Sequence, residues 1–142
     1  MIRKMEKSDI NRVMQIWQDT NVKAHNFIPE TYWRNKYNEV EELLLQSELY
    51  VFEDGISHEI QGFIGLIDSY IGGIFVCDQS QCKGIGKQLL DYAKKVKISL
   101  SLSVYQKNVK AIEFYKRENF KIKSEGIDKD TNQREYFMVW ES

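Results

Sequence analysis

The segment Gln81-Cys82-Lys83-Gly84-Ile85-Gly86-Lys87 constrains this chain more than any other. An apolar strand pattern, Tyr70 to Val76, precedes it, and an amphipathic helix pattern from about Ile85 to Lys97 comes after it. A Q-x-x-G-x-G run at such a junction turns several backbone N–H groups toward one point, where the helix dipole is positive. Gly84 and Gly86 remove side chains where an anion must approach, so the run reads as a pyrophosphate site. The plain alternative is a glycine-rich turn that starts a helix. A P-loop is excluded, because the run has no Gly-Lys-Ser/Thr ending. The dinucleotide fingerprint fails as well, since Leu89 stands where its third Gly or Ala belongs.

The rest of the chain sets that junction in a mixed order of strands and helices. Ile2 to Met5 suits a short strand, and Ser8 suits the N-cap of a helix whose face is Ile10, Val13, Met14 and Trp17. Val22 to Ile28 loses the period and reads as a loop. Pro29, the only proline, fits the first turn of a second helix with Trp33, Tyr37, Val40 and Leu44 as its buried stripe. Leu49–Glu53, Gln61–Ile67 and Tyr70–Val76 read as an antiparallel meander, with Asp54-Gly55 as a turn. The next helix directs Ile85, Leu89, Ala93 and Val96 inward. Leu100, Leu102 and Val104 then alternate with Ser99, Ser101 and Ser103, which is the pattern of a half-buried strand. Asn108 to Glu118 is helical, and Phe120–Ser124 and Glu135–Trp140 close the chain as strands joined by a polar loop, Gly126 to Gln133. Strands followed by strand–helix–strand–helix–strand indicate an α/β domain with a crossover in its middle.

A second motif, Asn108-x-x-Ala111-x-x-Phe114-Tyr115 followed by Phe120, lies downstream of the glycine-rich run. Together the two motifs resemble the GNAT superfamily of N-acetyltransferases, and the likeness in element order covers essentially the whole chain. The resemblance implies an α/β (α+β) fold, residues 1–142 forming a single domain. Its sheet would be mixed, mostly antiparallel, flanked by helices, and splayed between the fourth and fifth strands. It implies acetyl-coenzyme A (CoA) as donor, with the amides of Cys82, Lys83, Gly84, Ile85, Gly86 and Lys87 cradling the pyrophosphate and Gln81 holding the loop entry. The thioester arm would enter the splay, where the backbone of Ile74, Phe75 and Val76 offers an N–H to the thioester carbonyl. Adjacent glycines Gly72 and Gly73 in that strand mark a bulge or a close backbone approach.

The same resemblance gives Tyr115 the role of general acid, since a phenol of pKa ~10 suits protonation of a leaving thiolate. The other reading of Tyr115 is a core tyrosine with a satisfied hydroxyl. Asn108 suits either the amides of the donor or the N-cap of its own helix, and both can hold. Ala111 is small enough to let that helix sit close to the ligand. His25 and Phe27, in the irregular stretch after the first helix, would belong to the acceptor wall. Candidates for the base are His25, Glu30, Glu113 or a water chain, and a structural role for His25 competes with catalysis. Trp17, Trp33 and Tyr32 fit either an acceptor pocket or the core.

Three positions depart from the family pattern. Asp78 stands where proline is common, Cys82 where glycine is frequent, and Glu118-Asn119-Phe120 replaces a Gly-Phe ending. Cys82 matters if the loop there requires a positive φ.

Charge and composition narrow the function further. Twenty Lys and Arg face 21 Asp and Glu, so no net basic excess attracts nucleic acid. No apolar run approaches the roughly 20 residues of a membrane span, and no secretory leader is visible, so a cytoplasmic protein is expected. Cys77 and Cys82 are too few and too close for a disulfide scaffold, and no Cys/His spacing suggests a metal. The reaction expected is direct transfer of an acetyl group to a primary amine of a small molecule or protein, by a monomer or homodimer. The alternative is a noncatalytic acyl-coenzyme A sensor or regulatory module.

Overall fold

A computed structural model describes Met1–Ser142. Its strands are β1 (Ile2–Lys4), β2 (Glu48–Glu53), β3 (Ile60–Ile67), β4 (Tyr70–Val76), β5 (Ser99–Tyr105), β6 (Lys121–Asp128) and β7 (Gln133–Glu141). Its helices are α1 (Ile10–Ala24), α2 (Glu30–Gln46), α3 (Ile85–Val96) and α4 (Val109–Arg117). The strands form one sheet in the order β1-β2-β3-β4-β5-β7-β6, antiparallel everywhere except between β4 and β5. The mixed, mostly antiparallel sheet inferred from the sequence is therefore present.

Alternation along the strands builds a core on each face. Leu49, Val51 and Phe63 meet Val13, Met14, Trp17 and Trp33 of α1 and α2. Ile64, Leu66, Leu100, Leu102 and Met138 meet Leu89, Leu90 and Ile112 of α3 and α4. Period-two strands between period-3.6 helices make such a three-layer arrangement the way to bury every apolar stripe.

Several boundaries differ from the sequence reading. The chain enters α1 through a 3-10 turn, Lys7–Asp9, and Ser8 does not cap it. Asp9 accepts from the Glu6 N–H at 2.8 Å and is also paired with Arg3. The first helix runs through Ala24, because Asn21 continues the buried face beyond Trp17. On α3, Leu90 is fully buried while Val96 is exposed, since the helix ends just there. The closing hairpin is longer than expected, taking in Gly126 to Asp128 and Gln133.

Candidate active site

β4 and β5 pair at only two positions, Tyr70 with Ser101 and Ile71 with Leu102. A bulge explains why they part. Gly65 faces Gly73 and Leu66 faces Ile71, which leaves Gly72 as an unopposed extra residue in β4. Bulges bend a strand and re-aim the residues beyond them, so β4 turns away from β5 immediately after Ile71. The Cys77 N–H donates to Gln61 O at 2.8 Å. Antiparallel alternation then gives the Phe75 N–H to β3 and turns the N–H groups of Ile74 and Val76 toward the opening.

The glycine-rich loop closes one end of this opening. Gln81 Nε2 donates to Val76 O at 2.9 Å and so ties the loop entry to the end of β4. Cys82 has φ 64° and Gly84 has φ 79°, both in the left-handed region. No main-chain N–H from Cys82 to Lys87 donates to another backbone group. Six consecutive unbonded donors ending in the first turn of α3 are what an anionic group requires. A β-carbon built on Gly84 would meet nothing within 4 Å, and one on Gly86 nothing nearer than 3.7 Å. The loop is thus open to a bulky diphosphate.

A cleft of about 1120 Å³ runs from this loop into the split. It is lined by Ile74, Phe75, Val76, Gln81, Cys82, Gly84, Ile85, Gly86 and Lys87, and by His25, Asn108, Ala111 and Tyr115 from across the opening. Among the residues singled out from the sequence, Lys83 and Phe27 do not line it. Phe27 instead packs edge-on against Tyr105 and lies under the Lys107 ammonium. Arg12, Lys107, Lys110 and Arg117 give the cleft wall a basic character.

Tyr115 is 8% exposed, and its hydroxyl makes no hydrogen bond within the protein. Burial, and secondarily Tyr70, raise the phenol well above its ordinary value. Asn108 caps α4: its Oδ1 accepts from the Ala111 N–H at 3.3 Å, while its Nδ2 lies 3.1 Å from His25 Nε2. Accepting from an amide makes Nε2 the unprotonated ring nitrogen. His25 sits among Phe27, Trp33 and Tyr105, and burial lowers it to about 4. Such an imidazole orients Asn108 and is a weak base.

The other two carboxylates considered as bases stand away from the opening. Glu30 is an exposed partner of Arg34 on α2, and Glu113 is exposed on α4; neither lines the cleft.

On the far side of the split lies a second cavity of about 290 Å³. Asn21, His25, Ile74, Phe75, Asn108, Ala111 and Tyr115 line both spaces, so the two meet where β4 and β5 diverge. The sequence reading missed three polar residues here: Asn21, Asp128 and Glu135. Asn21 was discernible as a polar residue four positions after Trp17 on an apolar stripe, and it is 4% exposed. Asp128 accepts from the Tyr105 hydroxyl at 2.6 Å. Glu135 carried no signal of its own, because it opens a strand after a polar turn.

The chain matches a family model described as an acetyltransferase (GNAT) domain over residues 46–122. It is 29% identical over 142 residues to the peptidyl-lysine N-acetyltransferase YiaC of Escherichia coli (strain K12), covering 99% of this chain and 96% of that protein. The solution structure of apo-form YjaB from Escherichia coli superposes with a TM-score of 0.87 at 20% identity, covering 98% of this chain and 95% of that one. A spermidine N-acetyltransferase from Vibrio cholerae, in complex with CoA and spermine, superposes at 0.73 with 19% identity, covering 99% and 94%.

Proposed function

Because the chain belongs to the GNAT acetyltransferases and transfers acetyl to an amine, we propose that its donor is acetyl-coenzyme A, held along the basic cleft between β4 and β5. The unbonded run of N–H groups from Cys82 to Lys87, beside an opening in the sheet, carries this reading. The coenzyme A complex of the Vibrio cholerae spermidine acetyltransferase supports it at the level of the fold. Bound acetyl-coenzyme A would supply an acyl group activated as a thioester.

The chain's own residues then have separable tasks. The amides of Cys82 to Lys87, with the α3 dipole behind them, bind the pyrophosphate. The Ile74 and Val76 N–H groups meet the negative charge that grows on a carbonyl oxygen during acyl transfer. Tyr115 holds its proton firmly because it is buried, and it gives that proton up to a departing thiolate at closer range than solvent can reach. Asn108, oriented by His25, fixes the start of α4 and hence the position of Tyr115.

The acceptor in this reading is a primary amine of a protein or small molecule. The Escherichia coli relative named as a peptidyl-lysine N-acetyltransferase supports lysine side chains of proteins. A thiol-release assay with acetyl-coenzyme A and a panel of amines, containing a lysine peptide and spermidine, tests the reading. Thiol release that depends on the amine is expected. Calorimetry with millimolar acetyl-coenzyme A and no heat of binding would overturn it.

A further inference from the structure

The acceptor side of the split presents an electrostatic problem that neither Tyr115 nor His25 solves. An alkylamine of pKa ~10.4 is charged at neutral pH, leaving only about one molecule in 10³ with a free lone pair. Some group beside the opening must hold the cation and take its proton. His25 is neutral, its Nε2 is engaged by Asn108, and burial has lowered its basicity.

The second cavity holds a different kind of group. Its lining contains two carboxylates, Asp128 on β6 and Glu135 on β7, and no Lys or Arg. Glu135 pairs with Tyr105 in the sheet and stands half-buried at the end of β5, on the wall that Tyr105 and Ser103 share. Its carboxylate makes no ion pair and accepts no hydrogen bond; the one side chain bonded to Glu135, that of Gln106, reaches its backbone oxygen. Asp128, by contrast, already accepts from Tyr105. A second feature also points to a ligand here. Trp33, 7% exposed, lines the same cavity with an indole Nε1 that has no partner. Buried donors without partners are rare, so this one leaves polar capacity unused in a residue of the cavity wall.

We propose that Glu135 is the residue that anchors a cationic acceptor amine and receives its proton. The proposal rests on acetyl-coenzyme A occupying the cleft between β4 and β5. The ammonium passes one proton to the Glu135 carboxylate, and the freed lone pair forms the C–N bond at the thioester carbon. The C–S bond breaks, and the thiolate takes the Tyr115 proton. The second proton of the acylated nitrogen returns to Tyr115, and Glu135 releases its own to water through the cavity mouth. The sum is ammonium plus thioester giving amide, thiol and one proton.

The surroundings of Glu135 suit this work. The titratable groups around it are Asp128 from β6, Tyr105 from β5, Tyr70 from β4, Tyr115 from α4 and His25 from the α1–α2 loop. None is a cation at neutral pH. Burial first, and Asp128 second, raise the Glu135 carboxyl above its ordinary value, which brings it nearer the working range of a base.

The test compares wild type with Glu135→Gln and Glu135→Asp, using Nα-acetyl-lysine amide, a lysine peptide and spermidine as acceptors. Glu135→Gln should lower kcat/KM about 10²-fold at pH 7. The deficit should narrow toward pH 10, where free amine is abundant, and the acidic limb that the carboxylate sets in the wild-type pH profile should give way to a rise set by deprotonation of the amine itself. Glu135→Asp should keep that limb and part of the rate. The heat of acetyl-coenzyme A binding should be unchanged in both variants. Wild-type kinetics and an intact acidic limb in Glu135→Gln would overturn the proposal. So would wild-type protein that binds acetyl-coenzyme A yet turns over none of these cationic amines. Absence of the donor's heat in wild type would instead bring down the proposed function, and this inference with it.

Discussion

Tyr115 combines a buried ring with a hydroxyl that no protein group occupies, and this governs what its removal should do. Tyr115→Phe keeps the packing against Phe114 and Phe120 and deletes only the hydroxyl with its proton. kcat should fall by roughly 10²–10⁴, with acetyl-coenzyme A affinity by calorimetry unchanged. His25 makes a pH prediction. It titrates at about 4 when folded against 6.5 for a free imidazole, so the unfolded chain binds its proton first. Stability should therefore fall as pH drops from about 6.5 toward 4. Melting curves should show a shallower fall over that window in His25→Gln than in wild type. Two departures from the family pattern were legible as residues but not as conformations. Cys82 and Asn119 both adopt left-handed φ, 64° and 72°, where the family favours glycine. Asn enters that region readily, whereas Cys does so at a cost. Cys82→Gly should thus leave stability between unchanged and about 1 kcal/mol higher in denaturant titrations, strain relief competing with glycine's entropy.

Among the elements, β4 does most to create the site, and its sequence announced this in part. Gly72-Gly73 signalled a bulge, and the strand is bulged there; which N–H groups it frees emerged only from the register with β3. Gly62 holds the same pair of strands together from the other side. A β-carbon there would lie 2.8 Å from the Phe75 carbonyl oxygen, a backbone atom that cannot rotate away. Gly62→Ala should cost about 1–3 kcal/mol by chemical denaturation. The β6–β7 hairpin was the least legible element. Every β6 residue but Asp128 is exposed, so its sequence carries no apolar alternation, and the strand is defined only by its ladder to β7. Glu135 was invisible for the same reason, since its importance comes from lying opposite Tyr105 rather than from its neighbours in sequence.

At the level of the whole molecule, a near-zero net charge conceals a separation of charge. The donor cleft carries Arg12, Lys110 and Arg117, none of them in an ion pair, while the charged groups of the acceptor cavity at neutral pH are carboxylates alone. Summed composition cannot reveal such an arrangement, whereas the element order and the two glycine- and asparagine-bearing motifs were enough to foretell the sheet and its splay. Acetyl-coenzyme A affinity should weaken several-fold between about 0.05 and 0.5 M NaCl, as exposed charges are screened. The two halves of the sheet are laced together by the Tyr70–Ser101 and Ile71–Leu102 pairs alone. A seam this short is the natural place for the molecule to breathe, and whatever lodges in it acts as a clamp across both halves. Hydrogen exchange should accordingly slow on both banks of the seam, in β4 and β5 alike, when the donor is added.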